Sequence, residues 1–307
     1  MRVLVLGAGA TGGYFGARMH EAGSRVSFLV RPHRAALLAR EGLRIRAHEG
    51  DIRADVDVLT GINGDQAWDL VLLSCKSYDL ESAIEAIMPA VVRGARVLPL
   101  LNGIRHLDAL DTAFGRDAIL GGLCHISVDL QQDGSIRQAG SIARLTFGAR
   151  NDTASIDPAM LRALLAMPFD VAHRTDILSA IWEKFIFLSA LAGITCLMRA
   201  SIGEIVAAAD GADLIRWLYL ECAEVARRSG HAPSDEAMGE AIEILNARHS
   251  PLKASMLRDL ERGGRTEAEH VLGDMLSRAS KLGVDTPLLS AACVQLRVHE
   301  ARLAGSH

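Results

Sequence analysis

The chain has 307 residues, of which half are hydrophobic and 23% are charged, and its formal net charge is −4. This length accommodates two ordinary domains, and the composition predicts a packed globular protein rather than a disordered one. Because acidic and basic residues are interspersed, the sequence indicates neither a nucleic-acid-binding tail nor a basic membrane-binding face.

The cysteines and the amino-terminal residues bear on the cellular compartment. The five cysteines are scattered, without a CxxC pair or Cys/His ligand spacing, so we expect neither a disulfide framework nor a metal site. The start, MRVLVLGAGATGG, lacks the apolar stretch and cleavage site of a secretory signal. The longest uncharged runs fall short of the ~20 apolar residues that a membrane span needs. We therefore expect a cytoplasmic protein.

The first half of the chain alternates short apolar runs with helical patterns. The candidate strands, all compact and β-branched, are RVLVL (2–6), RVSFLV (25–30), DLVLLS (69–74) and ARVLPLL (95–101). Between them lie helical patterns over 12–22, 33–41 and 79–92. Runs of this length suit strands buried on both faces of a parallel sheet. The alternation predicts a doubly wound α/β domain of the Rossmann type.

The pattern changes after about residue 117. AILGGLCHISVDL, IRQ and ARLTFGA predict antiparallel strands that turn at Asp133-Gly134, and we expect them to extend the sheet at one edge. After about residue 175 the chain is predicted to be helical, with helices over 178–199, 203–208, 212–229, 234–248, 252–262, 266–282 and 287–303. The sequence thus predicts two domains, 1–175 and 176–307, the second all-helical.

A glycine-rich turn follows the first strand. Gly7-Ala8-Gly9-Ala10-Thr11-Gly12 matches GxGxxG between a predicted strand and a predicted helix. Gly7 permits a tight turn, Gly9 lets the backbone approach a pyrophosphate, and Gly12 allows close packing of helix on strand. The phosphates would lie at the helix N-terminus, on the backbone N–H groups of Gly9 to Gly12. The alternative is a purely structural glycine turn.

Basic residues follow the second and third predicted strands. Arg31 occupies the place where an NAD or FAD site usually has an acidic residue, and a guanidinium there can bind a 2′-phosphate. Arg34 adds charge, and Lys76 could reach the same region. These residues favour NADP(H) as cofactor and disfavour a flavin enzyme, although they could also be ordinary surface charges. Asn102, after the strand 95–101, is a further candidate at this sheet edge, or part of an ordinary Asn-Gly turn.

Two candidates for chemistry lie in the second half. Lys184 begins a helix face on which Leu188 and Ala192 follow at one-turn intervals, so its ammonium is poorly solvated and suited to donate a proton. A lysine at a helix end that reaches water is the alternative. Glu267 could orient a lysine or bind a hydroxyl. It could also lie in the first turn of a helix capped by Thr266.

These motifs, in their order and spacing, resemble those of the ketopantoate reductase family (2-dehydropantoate 2-reductases). The matching segments span nearly the whole chain and are VLGAGATGG, VR at 30–31, CK at 75–76, LNG at 101–103, WEKF at 182–185, IGE at 202–204, SMLRDL at 255–260 and RTEAEH at 265–270. The resemblance implies NADPH-dependent reduction of ketopantoate to pantoate, on the path to pantothenate.

The resemblance also implies residue roles. Lys184 would be the general acid, and Glu267 would bind substrate or cofactor ribose and help to place the lysine. Ser255 would contact the region of the substrate carboxylate, and Asn102 would lie near nicotinamide and substrate. Arg31 and Lys76 would recognise the 2′-phosphate. The cofactor would lie in a cleft between the domains, closed by a hinge near residue 175.

The chain departs from the family at three positions. Well-known members carry asparagines where this chain has Leu188, Ala192 and Ile202. Because apolar side chains replace amides that could bind a hydroxylated keto acid, a 2-keto acid or ketone with a more apolar tail is an alternative substrate, with Leu188 and Ala192 among its contacts.

Other readings stay open at this point. A β-hydroxyacid dehydrogenase has the same domain order and also uses a lysine, and a non-enzymatic NADP(H) sensor would need the nucleotide site but not Lys184 and Glu267. The predicted partner is a small-molecule 2-keto acid, without nucleic acid or membrane. A homodimer is one assembly that the sequence leaves open.

Overall fold

A computed structural model describes residues 1–47, 50–63, 66–151 and 155–305 of the protein. The chain packs as two compact units. The first contains Met1–Leu101 and His106–Ile177, and the second contains Asn102–Arg105 and Leu178–His307. The division into domains at 1–175 and 176–307 stays a prediction, since packing alone does not show whether either part folds by itself.

The strands all lie in the first unit. They are β1 Arg2–Leu6, β2 Arg25–Leu29, β3 Leu43–Arg46, β4 Ile52–Ala54, β5 Asp57–Leu59, β6 Leu70–Leu73, β7 Arg96–Pro99, β8 Gly121–Leu130, β9 Ile136–Gly148 and β10 Asp170–His173.

The helices are found in both units. They are α1 Ala10–Glu21, α2 Pro32–Glu41, α3 Leu80–Val92, α4 Arg105–Phe114, α5 Pro158–Leu165, α6 Ile177–Met198, α7 Ile202–Ala207, α8 Gly211–Arg228, α9 Asp235–Leu245, α10 Ser255–Glu261, α11 Asp274–Leu282 and α12 Pro287–Gly305. Two 3₁₀ helices, Ser77–Asp79 and Arg116–Ala118, and a π-helix, Glu269–Gly273, complete the set for the described residues.

A parallel sheet forms the centre of the first unit, with strand order β5-β2-β1-β6-β7. The four predicted strands are confirmed as β1, β2, β6 and β7 of this sheet, each within two residues of its predicted ends. All four residues of β6 are fully buried, as expected for a strand covered on both faces. The first unit is thus a parallel sheet with flanking helices, and the second unit is helical, which is the predicted fold class.

The predicted antiparallel pair lies mostly in a second sheet. β8 and β9 pair as expected, and Gly134 has a positive φ of +75° in the turn between them. β9 also pairs with β3 and β10 and so builds the sheet β10-β9-β3-β4. Only the beginning of the predicted run reaches the edge of the parallel sheet, where Ile119 forms a parallel bridge with Val97 of β7. The apolar face of this sheet needs a partner to bury it, and α1 provides one.

Two glycines let α1 pack tightly against both sheets. A Cβ at Gly12 would collide with the Ser74 hydroxyl and lie 2.6 Å from the Gly7 carbonyl oxygen, on the side of the parallel sheet. A Cβ at Gly13 would collide with Ile136 of β9, on the side of the second sheet. The GG pair in the motif therefore reflects a helix held between two sheets, and the beginning of α1 is fixed as a result.

α6 is a largely buried helix that belongs mainly to the second unit. Its 22 residues are long and apolar enough to cross a membrane by length and composition, with a mean hydropathy of 1.7 over its most apolar window. In this structure 61% of that window is buried within the protein. The burial is that of a core helix, and a Cβ at Gly193 of α6 would lie 2.9 Å from Leu218 of α8 and 3.7 Å from Ala292 of α12.

Candidate active site

The glycine-rich turn has the backbone geometry of an anion-binding site. Gly7 follows β1 with φ +89°, and its N–H donates to the Leu29 carbonyl at 2.9 Å. Gly9 precedes the first residue of α1, and nothing lies within 4 Å of a Cβ placed at Gly7 or Gly9. Ala10 and Thr11 are in the first turn of α1, whose N–H groups have no partner within the helix. The turn therefore fits the pyrophosphate of a dinucleotide.

The basic candidates lie at the ends of strands adjacent to β1. Arg31 follows β2 and Lys76 follows β6, and both side chains are exposed. Lys76 precedes the 3₁₀ helix that ends at Asp79, and the Asp79 carboxylate accepts a hydrogen bond from Arg31 at 2.7 Å. Asp79 thus links the two basic residues, because its carboxylate pairs with Arg31 and its 3₁₀ helix directly follows Lys76. Asp79 was not among the residues selected from the sequence.

Arg34 has a different role from the one the sequence suggested. Its Nε donates to the carbonyl of Ala8 in the glycine-rich turn at 3.1 Å, and its Nη1 donates to the carbonyl of Gly134 at 2.9 Å. Burial, and secondarily Arg44, lower the pKa of this half-buried guanidinium. Arg34 therefore ties the glycine-rich turn to the β8–β9 turn.

Three sequence motifs meet in the second unit. A Cβ at Gly103, in the LNG motif, would lie 3.1 Å from the carbonyl oxygen of His270 and 3.8 Å from Cε2 of Phe185. Phe185 is the neighbour of Lys184 in α6, and His270 follows Glu267 by three residues. Asn102, Lys184 and Glu267 are half-buried and each lies within three residues of these contacts. The structure thereby brings together the segments that carry an amide, an ammonium and a carboxylate.

Ring and polar contacts fix the part of α6 that bears Lys184. The ring of Trp182 stacks on His231, with centroids 5.1 Å apart, and the Arg278 guanidinium carbon lies 5.6 Å from the Trp182 centroid. The Glu183 carboxylate accepts hydrogen bonds from the backbone N–H and the hydroxyl of Ser234. These contacts of Trp182 and Glu183 fix the helical turn that precedes Lys184.

The face of α6 beyond Lys184 is apolar. Leu188 is half-buried and Ala192 is 5% exposed, one and two turns further along the helix. Neither side chain can donate or accept a hydrogen bond. This face can contact a substrate through van der Waals packing alone.

The segment that carries Glu267 begins with a π-helix. The predicted cap at Thr266 is wrong, because the π-helix has Ala268 at its N-cap and no side-chain cap hydrogen bond. The hydroxyl and the backbone N–H of Thr266 both donate to the Glu300 carboxylate at 2.6 Å. Instead the backbone carbonyl of Glu267 accepts from the N–H groups of His270 and Val271. π-helical turns occur often at functional sites, where they change the direction of side chains.

A bidentate ion pair holds this π-helix. Glu269 accepts from Nε and Nη2 of Arg297 in α12, at 2.6 and 3.0 Å. These hydrogen bonds lower the pKa of Glu269. A Cβ at Gly273 would collide with the Glu269 carboxylate, so glycine at that position makes room for the pair. Glu269 therefore has a structural role, and its partner is the side chain of Arg297.

Ile202 and Ser255 belong to a second pair of connected segments. The Ile202 N–H donates to the Leu252 carbonyl at 3.0 Å, and a Cβ at Gly203 would lie 2.5 Å from the Ser250 nitrogen. Ile202 is fully buried, whereas Ser255 is exposed at the start of α10. The glycine of the IGE motif is therefore required by this close approach, a role that the sequence analysis missed.

The comparisons with known proteins agree with the order of these motifs. A family model described as "Ketopantoate reductase PanE/ApbA" matches residues 3–152, and one described as "Ketopantoate reductase PanE/ApbA C terminal" matches residues 176–300. The chain belongs to the ketopantoate reductase family. As a member of the ketopantoate reductase family, it is an oxidoreductase that acts on CH–OH groups.

The proteins that resemble this member of the ketopantoate reductase family range from an uncharacterized oxidoreductase to enzymes with a named activity. An uncharacterized oxidoreductase, YkpB, of Bacillus subtilis (strain 168) is 34% identical over 303 residues, covering 98% of this chain and 99% of YkpB. A 2-dehydropantoate 2-reductase of Archaeoglobus fulgidus is 28% identical over 288 residues, with 92% of each chain covered. A solved structure of D-mandelate dehydrogenase with NADH and anilino(oxo)acetate has a TM-score of 0.89 at 20% identity, covers 99% of this chain and 100% of that chain, and supports the fold alone.

Proposed function

We propose that the protein reduces the keto group of a 2-keto acid with NADPH, with ketopantoate as the reference substrate and pantoate as its product. The observation that carries the proposal is the meeting of the segments of Asn102, Lys184 and Glu267 around Gly103, Phe185 and His270. Carbonyl reduction requires a proton donor close to the keto oxygen, and a carboxylate and an amide beside it can orient that donor and the substrate.

Bound NADPH supplies the hydride. Lys184 holds a proton at the keto oxygen, where negative charge develops as the carbon–oxygen double bond becomes single. Glu267 orients the ammonium of Lys184 and accepts a hydrogen bond from a hydroxyl of the substrate or of the ribose. Asn102 donates its amide N–H to the substrate. Ser255, at the exposed start of α10, binds the substrate carboxylate through its hydroxyl.

The preference for NADPH over NADH is also a proposal. Gly7, Gly9 and Gly12 bind the pyrophosphate through the turn at the start of α1, and Arg31 and Lys76 bind the 2′-phosphate. The exposure of both basic side chains beside the glycine-rich turn supports this assignment. Arginine and lysine pair with phosphate dianions in charge-assisted hydrogen bonds that a ribose hydroxyl cannot offer.

A specific observation favours a second candidate, a 2-keto acid with a more apolar tail. Leu188 and Ala192 on the Lys184 face of α6 cannot hydrogen-bond a hydroxylated tail. A pocket built for hydroxyl binding discriminates strongly, whereas an apolar one accepts chains of related size with small differences.

A substrate screen tests the proposal. NADPH oxidation is followed at a wavelength where NADPH alone absorbs, with ketopantoate, straight and branched aliphatic 2-keto acids, and an aromatic 2-keto acid. We expect turnover with at least one of them, and higher kcat/KM for apolar tails than for ketopantoate if Leu188 and Ala192 line the tail site. NADPH binding without turnover on any of these acids would support the non-enzymatic sensor instead.

A cytoplasmic location and a role in pantothenate biosynthesis complete the proposal. None of the five cysteines, all of which lie in the described residues, forms a disulfide, and four are buried. Burial raises the pKa of the Cys196 thiol to about 12, so it stays protonated at neutral pH. Cysteines without disulfides suit a reducing compartment.

A further inference from the structure

We propose that Asp79 weakens the preference of the site for NADPH over NADH, by competing with the 2′-phosphate for Arg31 and by accepting a hydrogen bond from a ribose hydroxyl. This inference rests on the proposed nucleotide site and concerns which of its two cofactors the site prefers. Asp79 lies outside every motif on which the family resemblance depends.

The structure places the carboxylate of Asp79 at the end of β2, where the sequence alone shows only the basic residue Arg31. Nη2 of Arg31 lies 2.7 Å from Oδ1 of Asp79, although 48 residues separate them along the chain. The Arg31 side chain is 76% exposed and that of Asp79 is 33% exposed, so the carboxylate lies at the surface beside the end of β2. In dinucleotide sites that bind NAD, an acidic residue at this strand end receives the ribose hydroxyls.

The backbone around Asp79 holds the carboxylate in place. The Asp79 N–H donates to the Lys76 carbonyl at 2.9 Å, closing the 3₁₀ turn. The Ser82 hydroxyl donates to the Asp79 carbonyl, also at 2.9 Å. Asp79 is therefore anchored on both sides, between Lys76 and the first turn of α3.

Arg31 favours the binding of NADPH, whereas Asp79 favours the binding of NADH. A carboxylate repels a phosphate dianion and occupies a donor of Arg31 that the 2′-phosphate would otherwise use. The same carboxylate is a good acceptor for ribose hydroxyls, which NADH presents at that position. The site therefore has one determinant for each cofactor, and we expect it to bind both, with a weaker preference for NADPH than Arg31 and Lys76 alone would give.

Equilibrium binding of NADP⁺ and NAD⁺, measured by isothermal titration calorimetry, tests this without reliance on turnover. In Asp79→Asn we expect NADP⁺ to bind about fivefold tighter and NAD⁺ to bind about twofold weaker, so that the ratio of the two Kd values changes about tenfold. Asp79→Ala should shift the ratio in the same direction, and it serves as a second variant. Glu81→Gln removes the same charge from an exposed residue two positions on and should leave the ratio unchanged.

The outcomes separate the inference from the proposed function. Wild-type protein that binds neither nucleotide would overturn the nucleotide site and the inference with it. Wild-type protein that binds both, with a Kd ratio in Asp79→Asn and Asp79→Ala within twofold of the wild-type ratio, would overturn the role of Asp79 alone. Equal shifts in Asp79→Asn and Glu81→Gln would attribute the effect to net charge and would also overturn it.

Discussion

Gly103 lies directly against His270. A Cβ added to Gly103 would be 3.1 Å from the His270 carbonyl oxygen and 3.5 Å from its Cδ2, and the φ of Gly103 is +78°. Other residues would meet both a strained backbone and a close contact there. Because Asn102 precedes Gly103 and Glu267 precedes His270 by three residues, this contact sets the spacing of two candidate site residues.

Substitution of Gly103 tests the importance of that contact. Gly103→Ala should lower kcat by about tenfold or more, because a shift of Asn102 relative to the π-helix misplaces groups at the reacting carbon. Gly94→Ala is the matched control, since Gly94 also has a positive φ, +99°, but nothing lies within 4 Å of its Cβ position. Both variants share backbone strain. Equal kcat values in the two would show that the approach to His270 has no catalytic consequence.

Arg31 is expected to discriminate between the two nucleotides. Arg31→Ala removes a charge-assisted hydrogen bond to the 2′-phosphate, so the Kd for NADP⁺ should rise at least about tenfold while that for NAD⁺ changes by no more than about twofold. Fluorescence titration with each nucleotide gives both values. Equal losses of affinity for the two nucleotides would show that Arg31 does not bind the 2′-phosphate.

Arg34 should give the opposite pattern. Since its guanidinium donates to Ala8 and Gly134, Arg34→Gln should weaken NADP⁺ and NAD⁺ alike, each by about fivefold, through loss of order in the glycine-rich turn. Arg40→Gln, exposed on the same helix, is the control for the loss of charge. A loss of affinity for NADP⁺ alone in Arg34→Gln would show instead that Arg34 binds the 2′-phosphate.

His270 should make the folded protein sensitive to mild acid. Burial lowers the pKa of His270, with Arg105 acting in the same direction and Glu267 and Asp274 opposing it. The unfolded chain, where histidine has its ordinary pKa of about 6.5, then binds more protons, so the free energy of unfolding falls as the pH drops below about 6.5.

Thermal unfolding at pH 7.5 and pH 5.5 checks this. His270→Gln should lose less stability between the two values than the wild type, because it removes one group that must stay neutral in the fold. His33→Gln, at an exposed position, should lose as much as the wild type. His231, whose pKa is also lowered by burial, remains in all three proteins and contributes equally. An unchanged pH dependence in His270→Gln would contradict the assignment.

The sequence predicts the parallel sheet well because β1, β2, β6 and β7 are continuous apolar runs, whose burial depends on composition alone. It does not show that β8 and β9 lie mostly in a second sheet, because pairing partners are not visible in local patterns. The strands β3, β4, β5 and β10 were not predicted, since their sequences, LRIR, IRA, DVL and DVAH, contain charged residues and no continuous apolar run. Contacts between distant segments are not visible in the sequence either. The residue that a Cβ at Gly13 would meet, Ile136, is far away in the chain.

The candidate site also has one part that the sequence predicts and another that only the structure shows. Lys184, Glu267 and Asn102 come from the order of family motifs, whereas their supports come only from the structure. Arg31 pairs with Asp79 across 48 residues, and Arg34 reaches Gly134 across 100 residues. Thr266 resembles a helix cap locally, yet its hydroxyl donates a hydrogen bond to the carboxylate of Glu300, 34 residues further on. Long-range side-chain pairs of this kind have no signature in a single sequence.

Turnover of Lys184→Ala is the most direct test of carbonyl reduction with Lys184 as the proton donor. With saturating NADPH and the best 2-keto acid from the screen, we expect kcat to fall by ~10²-fold or more while the Kd for NADPH stays within about twofold of the wild-type value. Lys281→Ala, at an exposed position on α11, should keep wild-type kcat. A Lys184→Ala variant with near-normal kcat would contradict the account and leave Lys184 as the polar end of a buried helix.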